Sequence, residues 1–508
     1  PWSSHMLVFI VRRLFVSVWV FLVASVVIFF LAVNVRDPLA EARGLPDNAR
    51  ENRIAEITER MHLGDPVIVR YFRWLGDALT GDLGVNRQGQ SVNGLLETAF
   101  SATLQLVTGA TVLAIVVGIT VGVVSALRQY TALDQSVTFV AFVCFSLPVF
   151  WIGTLLKQFL AIDFNDWLAD PRISPAFTVG IALLTGLVAG GLVVAERRVR
   201  LAVFGVTAVG TGALLAVLSA TEWFLEPGLG PIVIALTAAA GAIGFTTLTA
   251  GLEWQRPLWA ALIAAGLGVA ASLALAPVLE DPLPVTVLLL ALLTAAVSFG
   301  VGLLVGGPVH RRPAVTASVL TGLFTGAVVF TDRMLQSFDD YSDSVNGRPI
   351  STVGAETPNY EGDFWESGLD SFGHLALPTL ALVLLSLAAY TRYTRASMLE
   401  VMNQDFVRTA RAKGLSERAV LTRHVLRNGL IPITTLAAYD IGTVMSGAVV
   451  TEEVFGWAAM GRLLLTGIEQ GDPMPIMAFF LVAGGAVVLF NMLADIAYAF
   501  IDPRIRLS

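Results

Sequence analysis

The sequence predicts an all-α, polytopic membrane protein, and three observations carry that expectation. Hydrophobic residues fill 55% of the 508 positions and charged residues only 14%, with a mean hydropathy of +0.74. That leaves too few polar side chains to cover a soluble body of this size. The apolar residues are gathered into runs long enough to cross a bilayer, roughly 20 residues for a hydrocarbon core about 30 Å thick. The charges between those runs alternate in sign along the chain.

Taken in order, twelve spans are expected near 8–33, 101–127, 134–162, 176–195, 201–220, 231–252, 258–279, 284–306, 314–330, 373–391, 430–450 and 474–500. Pro1 to His5 reads as a tag remnant (residues 1–5), with Met6 as the natural start. Arg12 and Arg13 precede the first long run, Leu14 to Val33. It is too long for the apolar part of a secretory leader and has no small-residue cleavage site, so a retained helix over 6–33 is expected. The second, third and last runs exceed the bilayer's need, which permits tilt without fixing an angle.

Positive charge marks the cytoplasmic connections. Arg128, then Arg197, Arg198 and Arg200, then His310-Arg311-Arg312, and finally the stretch Arg392 to Arg427 all fall on one side. Glu222 with Glu226, Glu280 with Asp281, and the segment 331–372 fall on the other; that segment sets nine carboxylates against Arg333 and Arg348. Twelve spans with both termini in the cytoplasm of a cell-membrane protein accommodate every large imbalance. Residues 34–100 mix a charged helical stretch, Glu51 to Arg60, with Tyr71, Phe72, Trp74 and Leu75, and predict a small extracytoplasmic cap. The acidic segment reads either as a solvated loop or as a lid that touches a partner.

The composition also excludes function classes. Cys144 is the only cysteine, so neither an internal disulfide nor a cysteine metal cluster is available. A phosphate-binding loop needs Gly-Lys-Ser/Thr, but Leu156 and Ala412 precede the only lysines, Lys157 and Lys413. No His-Glu-x-x-His exists for a zinc protease, and nothing supports nucleic-acid binding. The chain is therefore expected to be no enzyme and to hold no metal or cofactor.

One connection differs from the rest. Thr391 to Glu400 lies between the tenth and eleventh spans, and the sequence then runs Asp405-Phe406-Val407-Arg408-Thr409-Ala410-Arg411-Ala412-Lys413-Gly414-Leu415-Ser416-Glu417-Arg418. Strong helix formers precede Gly414, which permits a left-handed C-cap, and Ser416 can cap a second helix from Glu417. An ordinary basic loop needs charge but not this helix–Gly–Ser–helix arrangement. Arg423-His424-Val425-Leu426-Arg427-Asn428 and Pro432 complete the stretch.

From Asp405 to Pro432 these residues resemble the EAA loop of binding-protein-dependent ABC importer permeases, in the form found in dipeptide, oligopeptide and nickel permeases. The general EAA pattern is met only in part: Arg408 and Thr409 replace its Glu and first Ala, and Arg427 stands where its Pro would fall. The peptide-type subgroup has the same departures. Tyr71 to Leu75 through Gly81-Asp82-Leu83-Gly84, Ser101-Ala102-Thr103-Leu104, Ser146-Leu147-Pro148-Val149-Phe150-Trp151, His374 to Pro378, Gly447 to Phe455, Gly461-Arg462-Leu463-Leu464 and Asp502 to Arg506 match in order.

The resemblance covers roughly 6–162 and 373–508 and implies a six-helix permease core, with core helices two and three in 101–162 and the coupling loop at 392–432. It implies a second homologous permease subunit, cytoplasmic ATPase subunits that bind ATP and Mg, and an extracytoplasmic solute-binding protein. The residues it assigns to ATPase coupling are Glu400, Asp405, Arg408, Ala410, Lys413, Gly414 and Glu417. About 210 residues, 163–372, intervene where the family has a short loop, and contain six further spans without interior charges. Gly186-x-x-x-Gly190 and Gly302-x-x-x-Gly306 offer close helix approach there. The expectation is an accessory bundle, lipid-facing or partner-binding. In the core, Asp440 and Pro148 are candidates for packing or gating along a pathway, and Asp495 for structure. The alternative reading is a secondary carrier driven by an ion gradient, which would need intramembrane charges and no ATPase.

Overall fold

In a computed structural model, the described residues are 2–193, 195–251, 253–434, 436, 437, 440 and 448–501, the side chains of 2–10, 48, 418 and 494–501 excepted. With no water in hydrocarbon to satisfy a backbone, helices are the natural outcome for this composition. Among the described residues the single antiparallel bridge, Val85 with Ser91, is the only extended pairing. Among the described residues nine helices are long and apolar enough to cross a membrane, or ten when the bent pair Ala132–Ser146 and Val149–Leu168 counts as one span.

Two differences from the twelve expected spans have physical causes. Runs 284–306 and 314–330 form one helical segment, Pro284–Gln336, broken at Gly307 (φ 63°) and His310 (φ -111°). Pro308 and Pro313 lack the N–H that an unbroken helix would use there, and Gly307 supplies the left-handed turn. Its halves fold back on each other, and Ser318 Oγ donates to Ser298 O at 2.8 Å. The third expected span bends by 103° at Leu147-Pro148. Proline holds the preceding residue out of the helical region, and Leu147 is extended at φ -86°, ψ 130°. Of the expected run 430–450, residues 435, 438, 439 and 441–447 lie outside the described residues.

The chain divides into two compact units, Pro1–Gln158 with Thr352–Ala355 and Leu375–Ser508, and Phe159–Ser351 with Glu356–His374. In the first unit, the helix Val92–Leu127 crosses the helix Phe364–Met402 at very close range. A Cβ on Gly118 would stand 2.4 Å from Tyr390 Cβ, and one on Gly122 would stand 2.6 Å from Thr394 Cβ. This four-residue glycine spacing is the closest-approach device of membrane helices. Ala110, Ala114 and Tyr390 bury the same interface.

The first helix, Trp2–Val35, meets the last, Pro473–Ile501, through stacked Phe21 and Phe480, 4.8 Å apart. The segment between the first two long helices is itself folded. Pro46 and Pro66 immediately precede Asp47–Arg60 and Val67–Leu79, with φ already near the helical value. Tyr71 and Trp74 on the latter pack with Phe29 and Met477, and Ser25 Oγ and Tyr71 OH lie 2.8 Å apart. Buried Asp472 accepts from the N–H groups of Arg87 and Met474, and Arg87 also pairs with Glu41 at 3.0 Å.

In the second unit, Pro175–Leu192 packs on Arg197–Ala220 and Gly230–Thr249 on Gln255–Ala274 and Pro284–Gln336. Both expected glycine pairs lie at such contacts: Gly186 and Gly190 face Phe204, and Gly302 and Gly306 face Val315 and Ala314. The acidic segment is more ordered than a solvated loop. Phe338–Ser344 brings Tyr341 inward, and Asp370 accepts from Tyr341 OH at 3.2 Å, from Thr357 N at 3.1 Å and from Thr357 Oγ1 at 2.5 Å. Burial, and then the charge of Asp370, push the Tyr341 hydroxyl up from its usual range, so it remains a donor.

The close crossing is directly testable. Gly118→Val should lower the stability of the detergent-purified chain by about 1–3 kcal/mol, as overpacked sites do. Gly109→Ala on the same helix, where a Cβ meets nothing within 4 Å, should leave the melting temperature unchanged.

Candidate functional site

The stretch from Asp405 to Val420 forms as its local sequence dictates. Asp405–Ala412 is a short helix with Asp405 in its first turn and Arg411 in its last, each placed to complement the helix dipole. Gly414 takes φ +77°; its N–H donates to Arg411 O at 2.9 Å, and Leu415 N reaches Ala410 O at 3.4 Å. These two bonds close the helix end in the paired pattern that a left-handed residue allows. Ser416 precedes Glu417–Val420, with Val420 N donating to Ser416 O at 3.0 Å and Ala419 N 3.4 Å from Ser416 Oγ.

The short helix has two unlike faces. Val407 and Ala410 are buried with Ala126, Met398, Val420 and Val425. Ala410 therefore seats the helix on its own chain. Glu400, Asp405, Arg408, Lys413, Gly414 and Glu417 are exposed. Arg408 lies 3.7 Å from Asp405, and Arg411 clasps Glu417 across the Gly414 turn at 2.7 and 3.2 Å. That guanidinium holds the Glu417 carboxyl below its usual range. Lys413 has no side-chain partner among the described residues. Phe406, absent from the residues singled out by sequence, lies among these charges with 44% of its surface exposed.

The stem of this loop is fixed by an ion pair that spacing alone could not reveal. Arg395 Nε and Nη2 donate to Asp134 Oδ1 and Oδ2 at 2.7 and 2.9 Å. Ser125 Oγ adds a 2.5 Å bond to Asp134 Oδ1, and Tyr130 N adds one of 3.0 Å to Oδ2. Asp134 is buried and Arg395 half-buried, so the pair ties the loop's stem to the turn between the helices Val92–Leu127 and Ala132–Ser146. A planar two-point clasp of this kind sets orientation as well as distance.

A second buried carboxylate gathers three separate segments. Glu452 accepts from Thr103 Oγ1 at 2.9 Å and from Gly461 N at 2.6 Å, while Thr103 Oγ1 also accepts from Met460 N at 3.0 Å. Burial pushes the Glu452 carboxyl up despite these donors. A Cβ at Gly461 would stand 2.5 Å from Val449 Cα, so only glycine fits there. The helix Val149–Leu156 begins just after Pro148 and packs by Gly153 against Val454, and Lys157 Nζ donates to Val454 O at 2.9 Å. Asp440 accepts from Tyr390 OH at 3.0 Å, at the crossing built on Gly118. The side chain of Asp495, residues 441–447 and residues 502–508 lie outside the described residues.

Two family models match this chain. The model described as binding-protein-dependent transport system inner membrane component matches residues 283–507. Its N-terminal membrane-component companion matches residues 6–119. A putative peptide permease protein of Brucella ovis is 40% identical over 227 residues, 44% of this chain and 69% of that protein. The chain belongs to this family of transport-system membrane components. An oligopeptide transport system permease protein of Mycobacterium tuberculosis is 43% identical over 156 residues, 31% of this chain and 48% of that protein. A dipeptide transport system permease protein of Escherichia coli is 38% identical over 138 residues, 27% of this chain and 41% of that protein. The chain thus spans about half the length of the mycobacterial permease. The first family match begins at 283, inside the second unit, and residues 120–282 fall between the two matches.

Within this membrane component, Asp134→Ala should cost about 3 kcal/mol, because it leaves the Arg395 guanidinium without its carboxylate. Asp134→Leu combined with Arg395→Leu should recover most of that loss in thermal unfolding. A double variant as unstable as the single one would show that the pair does not act as a unit.

Proposed function

We propose that this chain is a transmembrane permease subunit of an ATP-binding-cassette importer that moves peptides or similar small solutes into the cell by alternating access. ATP hydrolysis is assigned to partner ATPase subunits. A second, homologous permease subunit completes a heterodimeric pathway, and an extracytoplasmic solute-binding protein delivers the solute. The reading places both termini of this inner-membrane protein in the cytoplasm. It leaves ATP and Mg on the partners, consistent with the missing Gly-Lys-Ser/Thr.

The observation that carries this reading is the helix Asp405–Ala412, seated on its own chain by Val407 and Ala410 while its charged face and Phe406 stay uncovered. An aromatic ring amid charges suits a groove on another subunit. The Arg395–Asp134 clasp gives a route for motion: a push on the short helix reaches the stem and, through it, the turn that joins two core helices. Closure of an ATPase pair would then rock packed helices as rigid bodies. Glu400, Asp405, Arg408, Lys413 and Glu417 would meet the ATPase directly. Gly414 would keep the turn and Ala410 the seat. Asp440, bonded to Tyr390, suits packing or gating at the core crossing, and Pro148 sets the bend of its neighbouring span.

Purification from native membranes in mild detergent tests the assembly: a related permease, one or two ATPases and a solute-binding protein should co-purify. Recovery of this chain alone, with uptake in liposomes driven by an ion gradient, would overturn the reading. A Cβ at Gly414 meets nothing within 4 Å, so Gly414→Trp adds bulk on the open side. Its backbone strain is modest, about 1–2 kcal/mol for a left-handed residue. This variant should reach the membrane at normal abundance, hydrolyse ATP in the assembled complex, and lose solute uptake. Gly414→Asn, which tolerates left-handed backbone, should retain most uptake.

A further inference from the structure

The second unit contains a cavity of about 440 Å³ that neither the coupling loop nor the core crossing uses. It lies among the helix Gln255–Ala274 and both halves of Pro284–Gln336. Its wall is almost wholly apolar, with Leu275, Leu290 and Val329 giving bulk, and Gly268 and Ala327 leaving the space open. The volume falls in the range of small-molecule sites, about 300–1,000 Å³. A further helix, about 10 Å across with its side chains, would need a longer and wider groove than this.

The mouth carries the second observation. Arg333 lines the cavity and is half-buried, yet among the described residues its only side-chain acceptor is Gln336 Oε1 at 3.4 Å. No carboxylate of the acidic segment pairs with it among the described residues. The adjacent Asp332 is committed to the N–H groups of Leu229 and Gly230, at 2.7 and 3.1 Å, and to Gln336. Beside Arg333, Trp365 meets Phe330 and Phe364 with ring centres 5.0 Å apart in each case, and Trp365 Nε1 donates to Leu279 O at 2.8 Å. Glu280 and Asp281 follow Leu279 at the same end of the cavity, charges that belong at the membrane–water boundary. An uncommitted guanidinium at that depth, over an apolar slot, matches one molecule in both its parts.

We propose that this cavity is a glycerophospholipid site, with one acyl chain in the slot and the lipid phosphate on the Arg333 guanidinium. The planar guanidinium suits two-point contact with phosphate oxygens, and the slot replaces bulk hydrocarbon contacts with a fixed wall. Such a lipid would be a constant component of the bundle.

The full chain, reconstituted in nanodiscs with phosphatidylglycerol bearing a photoactivatable diazirine on one acyl chain, tests this by mapping labelled peptides after irradiation. Label should concentrate on 268–275 and 323–330 over the outward-facing Leu304. Ala327→Phe should reduce it to the Leu304 level. Arg333→Gln should weaken it roughly fivefold, the worth of about one cationic contact to a lipid headgroup. Unchanged labelling of Leu304 in both variants reports that the helices remain inserted. A diazirine diacylglycerol, which lacks the phosphate, should label wild type no better than phosphatidylglycerol labels Arg333→Gln. Even labelling of all outward-facing leucines, or labelling insensitive to Arg333→Gln, would overturn the proposal.

Discussion

A polypeptide in hydrocarbon has no solvent for its N–H and C=O groups, and every other feature of this molecule answers to that constraint. It makes the apolar runs helical and confines breaks to sites where a neighbour or a proline relieves the lost bond. It also removes the usual hydrophobic drive between helices, so they associate by close approach. Gly118 and Gly122 allow that approach to Tyr390 and Thr394 in the core, as Gly302 and Gly306 do for the folded-back halves of Pro284–Gln336. Side-chain hydroxyls do the rest: Ser318 bonds a carbonyl on the facing half-helix.

Against that apolar background, three carboxylates organise the first unit at distinct places. Asp134 clasps Arg395 at the stem of the coupling loop, Glu452 gathers Thr103 and Gly461, and Asp472 gathers Arg87 and Met474. Each joins segments far apart in sequence and is nearly saturated with donors, as a buried charge must be. The helix Asp405–Ala412 is built differently. Its inner residues are small or β-branched and its outer ones charged, so it is anchored firmly on one side and uncovered on the other. That asymmetry suits a part that must be moved by a partner and must carry its stem with it.

Much of this was legible in the sequence because it is local. Run length and composition report helices directly, and the Gly414 and Ser416 pair announces its turn through backbone preference alone. The resemblance of Asp405 to Pro432 to peptide-type permeases agreed with the family match. What was not legible depends on contacts across the chain. Nothing near Asp134 in sequence points to Arg395, 261 positions away, and Thr103 is 349 positions from Glu452. The fusion of two runs at Gly307 was hidden because His310-Arg311-Arg312 reads as a polar loop. The order of the acidic segment was hidden for a related reason. Its carboxylates suggest solvation, whereas Asp370 turns inward to Tyr341 and Thr357. Phe406 could have been found, since an aromatic within a charged helix whose next residue is buried must point elsewhere.

In the function proposed, an ATPase subunit docks on the uncovered face of Asp405–Ala412. The most direct measurement places a photo-crosslinking amino acid at Phe406 and irradiates native membranes that still take up solute. Docking there should give one dominant adduct, containing an ATP-binding subunit identified by its peptides. Adducts only to lipid or to this chain itself, in membranes with intact uptake, would contradict it.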